Sequence, residues 1–293
     1  MTIFTKPITE IIRQRYSCRN YIARPIEWSK CLRLAEFAKA LGEEANGMQL
    51  RFEFVVASEE DSRALARLGT YGFIHGARGF LIGAISDGES SLEAFGFLVE
   101  KWVLLATDLG LGTCWLGGTF TKSSFARKIS AREGELIPAV VATGYPALHM
   151  RVIERIIRRG AMAERRSAWE VLFFQRAFGE PLSPEQAGDY AIPLEMVRLG
   201  PSASNKQPWR IVGDRRGWHF YLQRTPGYRE GKLNRMFTQA DLQRIDMGIA
   251  MCHFELTARE LGMEGKWAHT NPGIDPPDDL TEYTMSWLEE RMR

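Results

Sequence analysis

The sequence is poor in the residues that build metal sites and disulfide frameworks. Its 293 residues include four cysteines and five histidines. The cysteines lie far apart without a Cys-x-x-Cys pair, and neither a His-x-x-x-His nor a His-Glu-x-x-His spacing occurs. These absences argue against a zinc site and against a disulfide-stapled secreted domain. We expect no metal, free thiols and a cytoplasmic location.

The sequence also lacks an excess of charge of either sign. Lys and Arg number 38 and Asp and Glu number 36, so the formal net charge is +2. So small an excess gives no global reason to expect nucleic acid or an anionic membrane as a partner. Hydrophobic residues make up 45% and charged residues 25%, which is typical of a globular protein with a buried core. The length suffices for one large domain or two of ordinary size.

No long apolar run of the sequence is free of charges. The longest apolar stretch, Leu92 to Leu109, contains Glu93, Glu100, Lys101 and Asp108. Because charges at these positions would be costly in lipid, we expect this stretch to form a buried helix. The N-terminal segment is polar and does not follow the pattern of a secretory signal.

Two segments of the sequence resemble each other. Asp108-Leu-Gly-Leu-Gly-Thr-Cys-Trp115 and Glu260-Leu-Gly-Met-Glu-Gly-Lys-Trp267 each end an apolar helical pattern. Further upstream, Pro25-Ile26 corresponds to Pro181-Leu182, each opening a helix. Generic patterning of two similar halves is the alternative, but it rarely produces a Leu-Gly-x-x-x-x-Trp match at the same place. The sequence therefore predicts an internal duplication.

Hydrophobic periodicity predicts the elements of both halves. In the first half we expect helices Ile8–Arg15, Glu27–Leu41, Phe95–Leu109 and Lys122–Ile129, and strands Phe52–Ala57, Gly79–Ile85 and Pro138–Thr143. In the second half we expect helices Ala168–Gln175, Pro184–Arg198 and Asp241–Leu261, a hairpin of Trp209–Val212 with Trp218–Leu222, and a strand Glu282–Trp287 that could join either sheet.

These elements predict an α+β fold of two fused halves, with antiparallel or mixed sheets flanked by helices. The expected N-terminal half covers residues 1–149 and the C-terminal half residues 167–293, joined by an arginine-rich linker at 150–166. Each half alone would bury a modest core, so the long helices of both halves are expected to pack together.

The first motif that could carry chemistry is the turn Arg15-Tyr16-Ser17-Cys18-Arg19, which follows a short helix. Two guanidiniums and a hydroxyl at alternate positions of an extended segment can converge on one side. This combination suits a phosphate, which accepts bidentate arginine contacts and hydroxyl donors. The alternative is a solvated surface turn.

The second motif is the loop Pro201-Ser202-Ala203-Ser204-Asn205-Lys206-Gln207-Pro208-Trp209 between a helix and a strand. Its amides both donate and accept, so they can contact the pyrimidine edge of a flavin or the hydroxyls of its side chain. The alternative is a plain helix stop followed by a strand start, which proline and serine also serve.

The third motif is the glycine-containing segment that begins at Leu109 and ends at Gly118. Its Gly-x-Gly follows the end of a helix, whereas a dinucleotide-binding fingerprint follows a strand and opens a helix. The segment is therefore interpreted as a helix stop and a bare backbone at Gly117-Gly118, which a flat ring can approach closely.

The three motifs in this order resemble those of the nitroreductase family over nearly the whole chain, and in particular its single-chain, internally duplicated branch. Typical members are homodimers with FMN held between the subunits. The resemblance implies one arginine after the Gly144-Tyr145-Pro146 turn, for which Arg165 fits best and Arg166 is the alternative. The implied cofactor-binding residues are Arg15, Tyr16, Ser17, Arg19, Leu116, Gly117, Gly118, Arg165, Pro201, Ser202, Ser204, Asn205 and Gln207.

In this chain the parts of the family's site are divided between the halves. The first half carries the phosphate turn and the glycine segment, and the second half carries the Ser-Asn-Gln loop. At the corresponding places, Glu44-Ala-Asn-Gly-Met-Gln49 replaces the loop, Arg176-Ala-Phe-Gly179 replaces the turn and Glu264-Gly-Lys266 replaces the glycine segment. The intact parts together make one complete FMN site, so the sequence predicts a pseudo-dimer that is a monomer.

The resemblance implies ping-pong hydride transfer from NADH or NADPH through FMN to a small electron-poor acceptor such as a nitroaromatic or a quinone. No catalytic acid or base can be named. The stretch before the second strand, where the family carries a polar or basic residue near the flavin, offers Thr70, Tyr71 and His75 but no lysine. The alternative is a non-catalytic FMN carrier or sensor, in which a lid from the Tyr71–His75 or Tyr228–Phe237 region would cover the ring.

Overall fold

The computed structural model describes residues 3–45, 47–56, 74–86, 91–117, 122–147, 165–228 and 240–290. Within these ranges the chain forms two β-sheets and two long helices that lie between them. None of the helices in the described ranges is both long enough and apolar enough to cross a membrane. The architecture is α+β, with sheets flanked by helices, as predicted.

The first sheet contains four antiparallel strands, β1 (Leu50–Val56), β2 (Gly79–Ile85), β3 (Gly112–Leu116) and β4 (Val140–Gly144). Their order across the sheet is β1-β2-β4-β3. Every residue of β2 and of β4 is buried, as is typical of central strands covered on both faces.

The second sheet contains five strands, β5 (Phe173–Gln175), β6 (Trp209–Asp214), β7 (Gly217–Gln223), β8 (Gly265–Ala268) and β9 (Thr281–Glu289). Their order is β5-β6-β7-β9-β8. β5 runs parallel to β6 and the other pairs are antiparallel. The β6-β7-β9-β8 part repeats the order of the first sheet, and the last strand joins the second sheet.

The helices differ greatly in length. Helix α3 connects β2 to β3, and α7 connects β7 to β8, so these two long helices occupy equivalent positions in the two halves. The helices are α1 (Ile8–Gln14), α2 (Trp28–Glu44), α3 (Leu92–Asp108), α4 (Lys122–Lys128), α5 (Pro184–Ala187), α6 (Ala191–Arg198) and α7 (Leu242–Glu260).

Helices α3 and α7 cross at a pair of glycines. A Cβ atom at Gly96 would lie 2.2 Å from the carbonyl oxygen of Ile245, and one at Gly248 would lie 2.0 Å from that of Glu93. The two backbones therefore approach closer than any side chain allows. Ile245 and Ile249 of α7 also belong to the apolar core of the first half, so the halves share their interior.

Both long helices end in the same way. Gly110 and Gly262 have φ of +76° and +80°, and the next residues, Leu111 and Met263, donate back to carbonyls five positions earlier. This is the Schellman arrangement, in which glycine adopts the left-handed conformation without a steric cost. Gly96 and Gly248, Gly110 and Gly262, and Trp115 and Trp267 are all separated by 152 positions.

Two predicted helices of the second half differ from the structure. The helix predicted over Ala168–Gln175 is wrong, because residues 169–171 form a single 3-10 turn and Phe173–Gln175 form β5. Phe173 is fully buried against the ring of Trp169, and parallel pairing with β6 outweighs helical propensity there. The helix predicted over Pro184–Arg198 is interrupted after α5 at Gly188, whose φ is +56° and ψ −129°.

Besides β5, two further strands were not predicted from the sequence. β3 lies within the segment interpreted as a bare backbone, and β8 occupies the corresponding place in the second half. Both are short and begin shortly after the glycine that ends a long helix, so alternation alone gives little signal over four or five residues.

Candidate functional site

The turn Arg15–Arg19 is held against strand β3. Helix α1 buries Ile8, Ile11 and Ile12 against α3, α6 and α7, so the chain enters the turn from between the two halves. Ser17 forms a parallel bridge with Thr113, and the Cys18 N–H donates to the Thr113 carbonyl at 2.8 Å. The turn is thus an additional short strand beside β3.

Arg15 is buried to an unusual degree for an arginine. Its side chain is 8% exposed, and Nε finds no hydrogen-bond acceptor among the described residues. Burial lowers the pKa of Arg15, and the Glu100 carboxylate opposes that effect. A buried guanidinium that retains an unused donor is an arrangement that an anion would stabilise.

A second guanidinium, that of Arg166, lies close to Arg15. It donates to Asn205 Oδ1 and to the Leu199 carbonyl, each at 3.1 Å. Burial lowers the pKa of Arg166 to about 10, and the neighbouring positive charges of Arg15 and Arg198 contribute to the decrease. The structure therefore brings Arg15 of the first half close to Arg166, a linker residue that is held by the second half.

Arg165 is placed differently from Arg166. Its side chain is exposed, and its backbone carbonyl accepts from Asn205 Nδ2 at 2.8 Å and from Gln207 Nε2 at 3.3 Å. Adjacent residues of an extended segment point in opposite directions, so the one-position difference decides which guanidinium faces Arg15. Arg166, which the sequence analysis gave as the alternative, is therefore the residue whose side chain reaches the candidate site.

The loop after α6 has a strained backbone. Ser204, Asn205 and Gln207 have φ of +50°, +55° and +48°, in the left-handed region that non-glycine residues rarely occupy. The Gln207 N–H donates to Ser202 Oγ at 2.9 Å, and the Ala203 N–H donates to a carboxylate oxygen of α7 at 2.9 Å. Such strain persists only where surrounding contacts determine it, and it is common at ligand sites.

The amides of this loop bind the protein itself. Asn205 contacts both arginines at 165 and 166, and Gln207 Oε1 accepts from the Ser167 N–H at 2.9 Å. In the described conformation these amides therefore contact protein groups, whereas the sequence analysis expected them to contact a flavin. Pro201 and Ser202 are half-buried and Ser204 is exposed, so hydroxyls and backbone of the loop still face outward.

Gly117 lies at the other end of β3, next to the buried Leu116. A Cβ atom at Gly117 would lie 2.7 Å from Leu242 Cδ1, at the start of α7. The bare backbone is therefore needed for packing between the halves, whatever else it contacts. Gly118 lies outside the described residues.

A buried carboxylate on α7, Asp246, was missed in the sequence. It is 3% exposed and accepts the Ala203 N–H, at 2.9 Å from Oδ1 and 3.1 Å from Oδ2. Burial raises the pKa of Asp246 well above its ordinary value, and the nearby Asp241 carboxylate adds to the increase. Its sequence signal was an acidic residue within an apolar helical pattern.

The remaining predicted positions lie around the turn or outside the description. The backbone of His75 exchanges hydrogen bonds with Arg19 and Tyr21, so this residue lies beside the turn. Tyr16 is 39% exposed. Thr70, Tyr71 and most of Tyr228–Phe237 lie outside the described residues, whereas the Tyr228 hydroxyl accepts from the Leu242 N–H at 2.9 Å.

The sequence analysis also missed a pair of residues, Glu100 of α3 and His253 of α7, both fully buried. Glu100 Oε1 lies 2.9 Å from His253 Nε2, and Glu100 Oε2 accepts from Trp115 Nε1 at 2.8 Å. The sequence showed these charges only as interruptions of an apolar stretch, and their pairing across 153 positions had no local signal.

Within the described part of the chain, no group of three or more His, Cys, Asp or Glu side chains is arranged to hold a metal ion. The four cysteines are buried free thiols.

Comparisons with known proteins agree with the motifs. A family model described as "Putative TM nitroreductase" matches residues 7–258. A Thermotoga maritima protein called a "putative nitroreductase" is 20% identical, with a TM-score of 0.53 over 97% of this chain and 94% of that one, which supports the fold.

Other solved structures match about half of this chain. Nitroreductases with bound FMN from Desulfitobacterium hafniense and Bacteroides fragilis are 19% and 18% identical, and both have TM-scores of 0.41. They cover 50% of this chain and 93% and 92% of their own. No curated protein matches the sequence. Since the family model spans most of the chain, the protein belongs to this nitroreductase family.

Proposed function

We propose that this protein is an FMN-dependent oxidoreductase that transfers hydride from NADH or NADPH to an electron-poor small molecule such as a nitroaromatic or a quinone. The observation that carries this proposal is the proximity of two guanidiniums, the buried one of Arg15 in the first half and the half-buried one of Arg166 at the end of the linker, beside a strained loop. Two like charges in a buried place favour an anion with several acceptor oxygens.

The phosphate of FMN fits this place. At neutral pH a phosphate monoester carries close to two negative charges and several acceptor oxygens, which would match two guanidiniums and the unused Arg15 Nε donor. Ser17 and Arg19 follow Arg15 on the same turn and would contribute a hydroxyl and a third positive charge. The site therefore has the donor set that FMN requires at one end.

Strand β3 gives the direction in which the rest of FMN would extend. Thr113 pairs with the turn, and Gly117 lies four residues further along, about 13 Å away at the rise of an extended strand. We propose that the ring lies near Gly117 and Gly118, with Pro201, Ser202 and Ser204 of the opposite half near the cofactor. Asn205 and Gln207 support it by holding Arg166 and the segment beside it.

When bound, FMN would supply the hydride chemistry, accepting two electrons from a nicotinamide and passing them on. The protein's own residues have a binding and orienting role. Arg15 and Arg166 would hold the phosphate, and Asp246 fixes the loop through the Ala203 N–H. None of the described side chains is assigned as a catalytic acid or base.

We also propose that the halves arose by duplication and form a pseudo-dimer with one FMN per chain. The repeated strand order, the paired glycines of α3 and α7 and the two Schellman ends support this. The surface that typical family members use for dimerisation would then be internal, so we expect a monomer, with residues 1–149 and 167–293 as its halves.

A flavin-binding protein without turnover is the second candidate. The observation that favours it is the close packing of Leu242 against Gly117, because a side chain there limits how closely a substrate and a ring can share that space. Such a protein would bind FMN with the same phosphate contacts and would not exchange hydride.

An absorbance experiment separates the candidates. The purified protein is mixed with FMN, and the unbound FMN is removed. The protein is then treated with NADH or NADPH under anaerobic conditions. Loss of the visible flavin band within seconds to minutes supports the oxidoreductase. A bound flavin that neither nicotinamide reduces supports the carrier, and the absence of bound flavin contradicts both.

A further inference from the structure

Glu100 lies where the elements that carry the proposed site meet. Its carboxylate is fully buried in α3, and each oxygen contacts a different element. Oε2 accepts from Trp115 of β3, and Oε1 lies against His253 of α7. A carboxylate is expensive to bury, so two such contacts indicate a specific requirement for this group rather than generic packing.

The contacts of His253 extend the connection to α6. Its Nδ1 lies 2.8 Å from the Met196 carbonyl oxygen, which can only accept, so Nδ1 carries a proton. One further proton lies between His253 Nε2 and Glu100 Oε1. Whichever group holds it, the pair has no net charge, and it joins three elements, α3, β3 and α7.

Both proposed phosphate ligands are attached to the elements that Glu100 joins. Strand β3 holds the turn of Arg15, since Thr113 accepts from the Cys18 N–H. Helix α6 carries the Met196 carbonyl and ends at Arg198, and the carbonyl of the next residue, Leu199, accepts from Arg166 at 3.1 Å. A shift of β3 relative to α6 would therefore separate the two guanidiniums.

We propose that Glu100 is a positioning residue of the FMN site, which keeps Arg15 and Arg166 together by joining β3 to α6 and α7 through Trp115 and His253. The inference rests on the proposed function. It goes beyond that function because Glu100 is not expected to touch FMN, and because its effect should appear in FMN affinity more than in stability.

The second half offers a matched control. Trp267, 152 positions after Trp115, donates through Nε1 to Glu255 Oε2 at 2.7 Å. Both indoles are half-buried, and both bonds join a long helix to the strand after it. Trp115→Phe and Trp267→Phe therefore remove the same chemical group and the same kind of bond, but only the first bond leads to the proposed site.

The experiment titrates FMN into the full chain by flavin fluorescence and compares these two variants with Glu100→Ala and Glu100→Gln. Thermal melting without flavin gives the stability of each. The amide of Glu100→Gln can accept from Trp115 and donate to His253 Nε2, so we expect FMN affinity close to that of the unaltered protein. We expect Glu100→Ala to weaken FMN binding at least about tenfold and Trp115→Phe about tenfold, as for the loss of buried hydrogen bonds.

Trp267→Phe should leave FMN affinity unchanged. Equal affinity of Trp115→Phe and Trp267→Phe, or a Gln variant as weak as the Ala variant, would overturn the positioning role. If Glu100→Ala does not fold, the tryptophan pair and the Gln variant decide the question. If the unaltered protein binds no FMN, the proposed function itself fails, and this inference with it.

Discussion

Trp115 and Trp267 occupy corresponding positions after the two long helices, yet their indoles bond to carboxylates in different surroundings. Trp115 donates to Glu100, which is fully buried, whereas Trp267 donates to Glu255, whose side chain is 16% exposed. Relative to their tryptophans, the acceptors Glu100 and Glu255 differ in position by about one helical turn. The same backbone therefore directs one carboxylate into the interior and the other towards solvent.

The comparison extends to the residues around these carboxylates. The position 152 residues after Glu100 is Cys252, a buried thiol, and the position corresponding to His253 is Lys101, which pairs with Glu44 at 2.7 Å. The backbone geometry of the two helices is shared, whereas the buried polar groups are not. Their difference teaches that the same arrangement of helix and strand can carry different buried polar side chains.

The largest effect should come from the crossing of α3 and α7, which the two halves share. Gly248→Ala would place a Cβ atom 2.0 Å from the Glu93 carbonyl oxygen, so the helices must separate. We expect the free energy of unfolding to fall by about 3 kcal/mol or more, measured by urea denaturation. Gly262→Ala is the control, because its Cβ meets open space and only the φ of +80° is unfavourable, at a cost of about 1 kcal/mol. Equal losses would show that the crossing is not tight.

The next effect tests a region in which the two halves differ, the turn at Arg15 and the corresponding segment at Arg176. Arg15→Gln removes a buried guanidinium, and we expect FMN affinity to fall about 10- to 100-fold, the equivalent of one or two charged hydrogen bonds. Arg176→Gln is the control, since Arg176 stands at the start of the segment that replaces the phosphate turn and forms an exposed ion pair with Glu180. Equal affinities of the two variants, measured by fluorescence titration, would remove the distinction between the halves.

A smaller effect separates two reasons for the bare backbone at Gly117. Gly117→Ala should weaken FMN binding about tenfold if the ring approaches this backbone closely, an estimate based on modest overpacking. Adding Leu242→Ala removes the side chain that a Cβ at Gly117 would meet. We expect the double variant to remain impaired in FMN titration. Full recovery would show that Gly117 serves only the contact between the halves.

The smallest effect concerns stability against pH. Burial raises the pKa of Asp246, so the folded protein binds its proton more tightly than the unfolded chain does. Stability from this group is complete below its unfolded pKa and is lost as pH rises through the folded pKa. Asp246→Asn keeps an acceptor for the Ala203 N–H without the charge, so it should gain about 1 kcal/mol relative to the unaltered protein as pH increases. Melting curves from pH 5 to 9 that stay parallel would contradict this.

The long helices and their ends could be predicted because their signals are local. The Leu-Gly-x-x-x-x-Trp match marks the end of a helix through the left-handed glycine, and the apolar period of α3 extends over 17 residues. The phosphate turn was likewise visible as alternating Arg and Ser. The assignment of its residues to FMN stays a prediction.

The parts that were missed depend on contacts distant in sequence. β5 has three residues, and its strand character comes from pairing with β6 rather than from its own propensity. The choice between Arg165 and Arg166 depends on the orientation of an extended segment, which a shift of one residue reverses. Glu100 and His253 meet only because α3 and α7 cross, so neither residue carries a local sign of its partner.

The most direct test of the central claim is the number of FMN molecules bound per chain, measured by isothermal titration calorimetry on the monomeric fraction. One composite site, built from the turn of the first half and the loop of the second, predicts one FMN per chain. Either Arg15→Gln or Arg166→Gln should then greatly weaken that single binding event. Two FMN molecules of similar affinity per chain, or one whose binding is unaffected by either substitution, would contradict the account.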